Sequence, residues 1–307
     1  MNAQVNDLLN EIKKVLRGKD DIVITVLTAM LAGGHILLED IPGVGKTTLA
    51  VSISKCLSMD YRRVQFTPDV LPSDLIGFSM YNNKTGNFEY KEGSVYCNFL
   101  LADEINRTSP KTQSALLEVM EEGKATVDGV TRMLPKPFVV LATQNPFGSA
   151  GTQKLPESQL DRFMVCLSLG YPNHSAAMEI LCKNVKDKPE VYPVMGISEF
   201  LELQKLVEVI HVDKSIAEYV VNFTENTRKH ELINLGLSPR GSIALLKMAK
   251  ATAFVNNRHY VVPDDVIKSI IPVCAHRIVL SPKARAAKKD EVSILMDILA
   301  ITPLPKM

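Results

Sequence analysis

An α/β core built on a parallel sheet, with β-hairpin inserts and a smaller all-helical domain after it, is the fold class this 307-residue sequence predicts. Three observations carry the prediction. The apolar runs Ile36-Leu37-Leu38, Phe99-Leu100-Leu101-Ala102 and Phe138-Val139-Val140-Leu141-Ala142, with a further one over 164–169, are continuous and not alternating, as strands covered on both faces are. The first run leads through a glycine loop straight into a helical pattern at Leu49, Ala50, Ile53 and Leu57. From about Tyr171 onward strand patterns cease and only helical spacing recurs, which divides the chain into a core over 1–170 and a helical domain over 171–307.

Taken in order, Val5, Leu8, Leu9, Ile12, Val15 and Leu16 mark an amphipathic helix that stops at Gly18. A second helix runs over 22–31 and breaks at Gly33-Gly34. After the first strand, loop and helix comes the strand Val64-Gln65-Phe66, then a proline-rich turn over 68–72. Two hairpins interrupt the alternation of strand and helix. One joins Phe78-Ser79-Met80 to Asn87-Phe88-Glu89-Tyr90, and the other joins Thr126-Val127 to Val130-Thr131 around Asp128-Gly129, a strong two-residue turn signal. Neither is needed to close the sheet, so both are candidates for contact with a partner or a central pore. Helical patterns then follow at 176–185, 197–209, 216–227, 240–254, 266–277 and 292–299, with a loose linker around Pro189.

Composition narrows the function. Formal charge is +1 and the only basic stretch, 283–289, is short, so a broad nucleic-acid footprint is not expected. Five cysteines form no CxxC pair and read as thiols of a reducing compartment. Six dispersed histidines offer no metal cluster. The polar opening of the chain and the lack of a run near 20 apolar residues predict a cytoplasmic protein without membrane contact.

The chemistry starts at Asp40-Ile41-Pro42-Gly43-Val44-Gly45-Lys46-Thr47-Thr48. Glycines here let backbone N–H groups wrap an anion at a helix N-terminus; Lys46 is placed to reach the β- and γ-phosphates and the Thr47 hydroxyl to hold Mg²⁺. One departure stands out: Asp40 occupies the place where the full pattern has its first glycine. Asp103-Glu104 ends the second continuous run, and adjacent acids at the exit of a buried strand are costly unless they serve a cation or a proton. With that strand beside the one feeding the loop, Asp103 would complete the Mg²⁺ shell and Glu104 would activate the attacking water. Asn145, at the end of the next strand, suits hydrogen bonding to the γ-phosphate and that water. Arg162 and Arg240 stand near strand or helix starts, where one could act within the subunit and one from a neighbour, or both could be surface ion-pair residues.

Together these residues resemble the MoxR family of AAA+ ATPases over nearly the whole chain. The resemblance rests on Ile-Pro-Gly-Val-Gly-Lys-Thr-Thr-Leu-Ala (41–50), Gln65-Phe66-Thr67-Pro68-Asp69, Ala102-Asp103-Glu104-Ile105-Asn106-Arg107, Ala142-Thr143-Gln144-Asn145-Pro146, Leu160-Asp161-Arg162-Phe163 and Ser238-Pro239-Arg240. It implies ATP and Mg²⁺ as cofactors. Lys46 and Thr47 match Walker A, within a nucleotide-binding loop of Pro42, Gly43, Val44, Gly45 and Thr48. Asp103 and Glu104 match Walker B, Asn145 sensor 1, Arg162 the arginine finger and Arg240 sensor 2, while Gly18 resembles the segment lining the adenine pocket. The hairpins resemble the helix-2 and pre-sensor inserts of this clade, and Asp40 matches family members that lack the first Walker glycine. For Arg107 three readings stay open: a trans-acting arginine, a pore-side residue or a structural ion pair. By resemblance the chain forms a hexameric ring and acts as a chaperone-like ATPase. A partner with a von Willebrand factor A domain and a protein client are implied, in maturation or metal-cofactor insertion. The alternatives are a slow nucleotide-gated scaffold and, behind it, a DNA helicase or loader.

Overall fold

The structure is a computed structural model, which describes residues 1–145, 155–172, 174–175, 177–178 and 190–305. Most of the helix expected over 176–185, the Pro189 linker, Cys182 and Pro146 lie outside the described residues.

Helices α1 (Ala3–Lys13) and α2 (Asp20–Leu31) precede strand β1 (Ile36–Glu39) and helix α3 (Lys46–Cys56). The core continues with β2 (Tyr61–Gln65), α4 (Pro72–Ile76), the hairpin β3 (Phe78–Asn82) and β4 (Asn87–Lys91), β5 (Phe99–Asp103) and α5 (Pro110–Glu122). A second hairpin, β6 (Lys124–Val127) and β7 (Val130–Met133), leads to β8 (Val139–Gln144), α6 (Glu157–Leu160) and β9 (Val165–Leu167). Five strands form one parallel sheet in the order β2-β5-β8-β1-β9.

Strand alternation divides the interior in two. Ile36, Leu38, Leu101 and Leu141 point into one apolar cluster, which also takes α1, α2, α3 and the helices that follow the sheet. Leu37, Leu100, Ala102, Val140 and Ala142 point into the other, against Leu116 and Leu117 of α5. Burial on both faces is why these strands read as unbroken apolar runs.

The sequence reading made the role of Asp103 conditional on β5 lying beside β1. That condition is not met: β8 lies between them, so Asp103 reaches the loop from one strand further away. Both hairpins form where expected, and in the second the central residues Asp128 and Gly129 have φ of 52° and 75°, the left-handed pair its turn demands. The Arg132 guanidinium stacks 3.6 Å from the Tyr90 ring centroid and joins the two inserts. Phe88 on the first is 74% exposed.

Beyond the sheet come α7 (Ile197–Glu208), α8 (Lys214–Lys229), α9 (Pro239–Val255), α10 (Pro263–Cys274), the short α11 (Pro282–Ala286) and α12 (Glu291–Ile301). Ser238 caps α9 by accepting from the Gly241 N–H, with Pro239 in the first turn. Strands do not vanish from this helical region: β10 (Ile233–Leu235) and β11 (Val279–Leu280) pair antiparallel, too short to leave a period in the sequence. Among the described residues no helix is long and apolar enough to cross a membrane. Cys56, Cys97, Cys166 and Cys274 are free thiols, and burial raises the Cys56 thiol to about 12.

Candidate functional site

A cavity of about 410 Å³ opens at the carboxyl ends of the strands. One wall is the loop: Pro42, Gly43, Gly45, Lys46, Thr47 and Thr48. Gly43 and Gly45 have φ of 85° and 101°, which other residues rarely adopt, and a Cβ built on Gly43 would point into open space. Val44 does not line the cavity; its side chain packs on the apolar cluster and anchors the loop. The Lys46 ammonium donates to the Asp40 carbonyl at 2.9 Å.

The aspartate that replaces the expected glycine has a structural task. Asp40 is 4% exposed, and its carboxylate accepts from Ser168 Oγ at 2.8 Å, from Gly170 N–H at 3.0 Å and from Leu169 N–H. It straps the start of the loop to the chain leaving β9. Gly18 is not among the residues lining the cavity, yet Leu16 Cδ1 lies 3.1 Å from where a Gly45 Cβ would be, so the segment after α1 abuts the loop.

The opposite wall is acidic. Asp103 ends β5, and Glu104 leaves the strand with a left-handed φ of 57°, a conformation that turns its carboxylate toward the cavity side of the sheet. Thr143 holds this corner: its hydroxyl donates to Asp103 Oδ1 at 2.6 Å and accepts from the Glu104 N–H at 2.9 Å. Asn145 follows the central strand β8 and lines the cavity between the two walls.

Two cavity residues escaped the sequence reading. Arg63 donates to Asp103 Oδ2 at 2.7 Å, and the Gln65 amide donates to Glu104 Oε2 at 3.0 Å. Both stand on β2, two residues apart and therefore on one face, a period-2 signal visible in Arg63-Val64-Gln65 once β2 is known to flank β5. Arg107 donates to Glu104 Oε2 at 2.7 Å, which is an ion pair with the acid it follows.

Arg162 and Arg240 are brought together, but not at this cavity. Neither lines it; both meet the Glu121 carboxylate at the end of α5, Arg162 Nη2 3.3 Å from Oε2 and Arg240 Nη2 on Oε1. Asp161 ties their bases, accepting from Ser238 Oγ at 2.9 Å and from Arg277 Nε at 2.9 Å. Arg277 is 5% exposed and also donates to the carbonyls of Phe163, Met164 and Val273.

Comparison with known proteins agrees with this architecture. Residues 35–165 match the family described as ATPase family associated with various cellular activities (AAA), and residues 225–298 match the AAA lid domain. The chain is 48% identical to the uncharacterized protein YeaC of Bacillus subtilis, over 97% of this chain and 93% of that protein. It is 37% identical to Chaperone MoxR1 of Mycobacterium tuberculosis, over 97% and 81%. The crystal structure of a candidate ATPase from Cytophaga hutchinsonii superposes with a TM-score of 0.91 at 37% identity, over 99% of this chain and 95% of that one. A nucleotide-loop α/β core with a helical lid, matched over 97% of its length to a MoxR protein, leaves one assignment: the chain belongs to the MoxR family of AAA+ ATPases.

Proposed function

We propose that the chain hydrolyses ATP with Mg²⁺ in a ring of identical subunits, with a core over 1–170 and a lid over 171–307, and uses the cycle to remodel a partner protein. The observation that carries this reading is the placement of Arg162 and Arg240 at Glu121, away from their own chain's cavity. Arginines that stabilise a transferring phosphoryl group must touch it, so a pair remote from its own loop serves a neighbour's. The sequence reading left open one arginine within the subunit and one from a neighbour, or surface ion pairs; this reading takes both across the boundary, held meanwhile in ion pairs with Glu121.

The cavity fits a nucleoside triphosphate. Gly43 and Gly45 line it without a Cβ, Lys46 supplies a cation, and the Thr47 hydroxyl and Asp103 carboxylate are the hard oxygen ligands Mg²⁺ prefers. Bound there, the ion would neutralise charge on the phosphate oxygens. Glu104 serves as general base and Asn145 orients the attacked phosphate. Arg63 on Asp103, with Gln65 and Arg107 on Glu104, engages both acids, and these pairs must loosen for turnover. The same pairs favour a second reading, a slow nucleotide-gated scaffold; fast turnover raised further by a partner would exclude it. Six subunits, a von Willebrand factor A-domain partner and a client awaiting maturation or a metal cofactor complete the proposal, supported by the likeness to a protein named as a chaperone.

Mixing tests the shared site. Arg162→Ala and Lys46→Ala subunits, each inactive alone, should regain turnover when combined at concentrations spanning ring assembly. A mixture as inactive as its components would refute catalysis across the boundary.

A further inference from the structure

We propose that Glu121 is a positioning residue that sets Arg162 and Arg240 at the spacing of a phosphate edge, so that one subunit offers both to the next as a single fork. The proposal rests on the reading that these arginines act across a subunit boundary.

The geometry has three parts. Each guanidinium takes a different oxygen of one carboxylate, Arg162 Oε2 and Arg240 Oε1. Carboxylate and phosphate present similar oxygen edges to guanidinium, so arginines spaced by the first are spaced for the second. Two cations this close repel unless an anion lies between them, so without Glu121 the tips separate.

Glu121 is itself held in place. The carbonyl of the preceding residue, Met120, lies 3.0 Å from Nε2 of buried His35, whose Nδ1 accepts from the Val140 N–H of β8 at 3.0 Å. Gly123, with φ 63°, ends α5 two residues later and returns its N–H to the Val119 carbonyl. The end of α5 is thereby fixed to the sheet.

The arginines arrive from different parts of the chain, one directly after Asp161 and one in the first turn of α9, and Asp161 joins their bases through Ser238. Asp161 at the bases and Glu121 at the tips close a loop of contacts that determines where both point. Their side chains stay 30% and 43% exposed, so a neighbour's phosphate can approach both. Glu121 is absent from the cavity of its own chain and touches no reacting atom there.

The test uses the full chain, with ATP turnover followed against ATP concentration above the assembly threshold. Glu121→Gln keeps the shape and removes the charge, and its kcat should fall roughly tenfold, the scale of a misplaced catalytic group, while KM changes by less than about twofold. Glu121→Asp should recover part of the loss, and neither variant should melt earlier. Mixed with Lys46→Ala subunits, Glu121→Gln should regain turnover, because its intact loops then face correctly set arginines. Wild-type kcat in Glu121→Gln, or a loss that mixing does not relieve while Arg162→Ala mixtures do recover, overturns the role of Glu121 and leaves the shared site standing. No recovery in the Arg162→Ala mixtures overturns the shared site and this proposal with it.

Discussion

His35 shows how one buried side chain makes the fold sensitive to acid. It bridges the Met120 carbonyl and the Val140 N–H, a pairing that a neutral ring donating from Nε2 satisfies, and burial lowers its pKa from the usual 6.5 to about 4. Between those values the unfolded chain binds the proton and the folded one does not, so stability is complete above pH 6.5 and is lost as pH falls toward 4. The shift corresponds to about 3 kcal/mol. Urea midpoints at pH 7 and pH 5 should therefore lie further apart in wild type than in His35→Gln, which keeps a donor and an acceptor without the titration. Parallel pH slopes would show that the acid sensitivity comes from elsewhere; His276, also held far below its usual range by burial and by Arg277, acts in the same direction. At Glu104 the expected effect is on rate. Glu104→Gln should lower turnover by a hundredfold or so, the usual scale for a positioned base, and unchanged turnover would remove Glu104 from that role.

At the scale of elements, the joint between lid and core depends on Arg277 in the turn that follows α10. Its guanidinium reaches the Asp161 carboxylate and the carbonyls of Asp161, Phe163 and Met164 across the boundary, and burial disfavours its charge enough that its pKa is lowered despite Asp161 beside it. Truncation leaves Asp161 without its cation and the carbonyls without donors. Arg277→Met should cost about 3 kcal/mol in a urea unfolding curve and release the segment that carries Arg162. Retained stability would mean that apolar packing alone holds the lid. Elements also show what a local pattern can carry. The turn Asp128-Gly129 announced its hairpin because both residues tolerate positive φ, and α9 announced its start through Ser238-Pro239. The three-residue β10 and four-residue α6 span less than two periods of their patterns and left no trace.

For the whole molecule, the loop from Asp40 to Thr48 was legible because a phosphate demands contiguous backbone, so its residues must be neighbours in sequence. Asp103, Glu104 and Asn145 were legible for a related reason: ligands gather at the carboxyl ends of parallel strands, and those ends are visible where an apolar run stops. That charge class, strand chemistry and helical lid followed from residue type and spacing is the share the sequence determined alone. The order of strands was not in it, since each apolar run is compatible with any neighbour; folding inserted β8 between β1 and β5 and brought Arg63 and Gln65 of β2 onto the acids. Nor was the meeting of Arg162, Arg240 and Glu121, whose positions are 41 and 78 residues apart along the chain and become neighbours only when the lid docks on the end of α5. Sequence encodes chemistry that short-range geometry requires, whereas long-range charge pairing depends on how the layers close, and only the tertiary structure decided that.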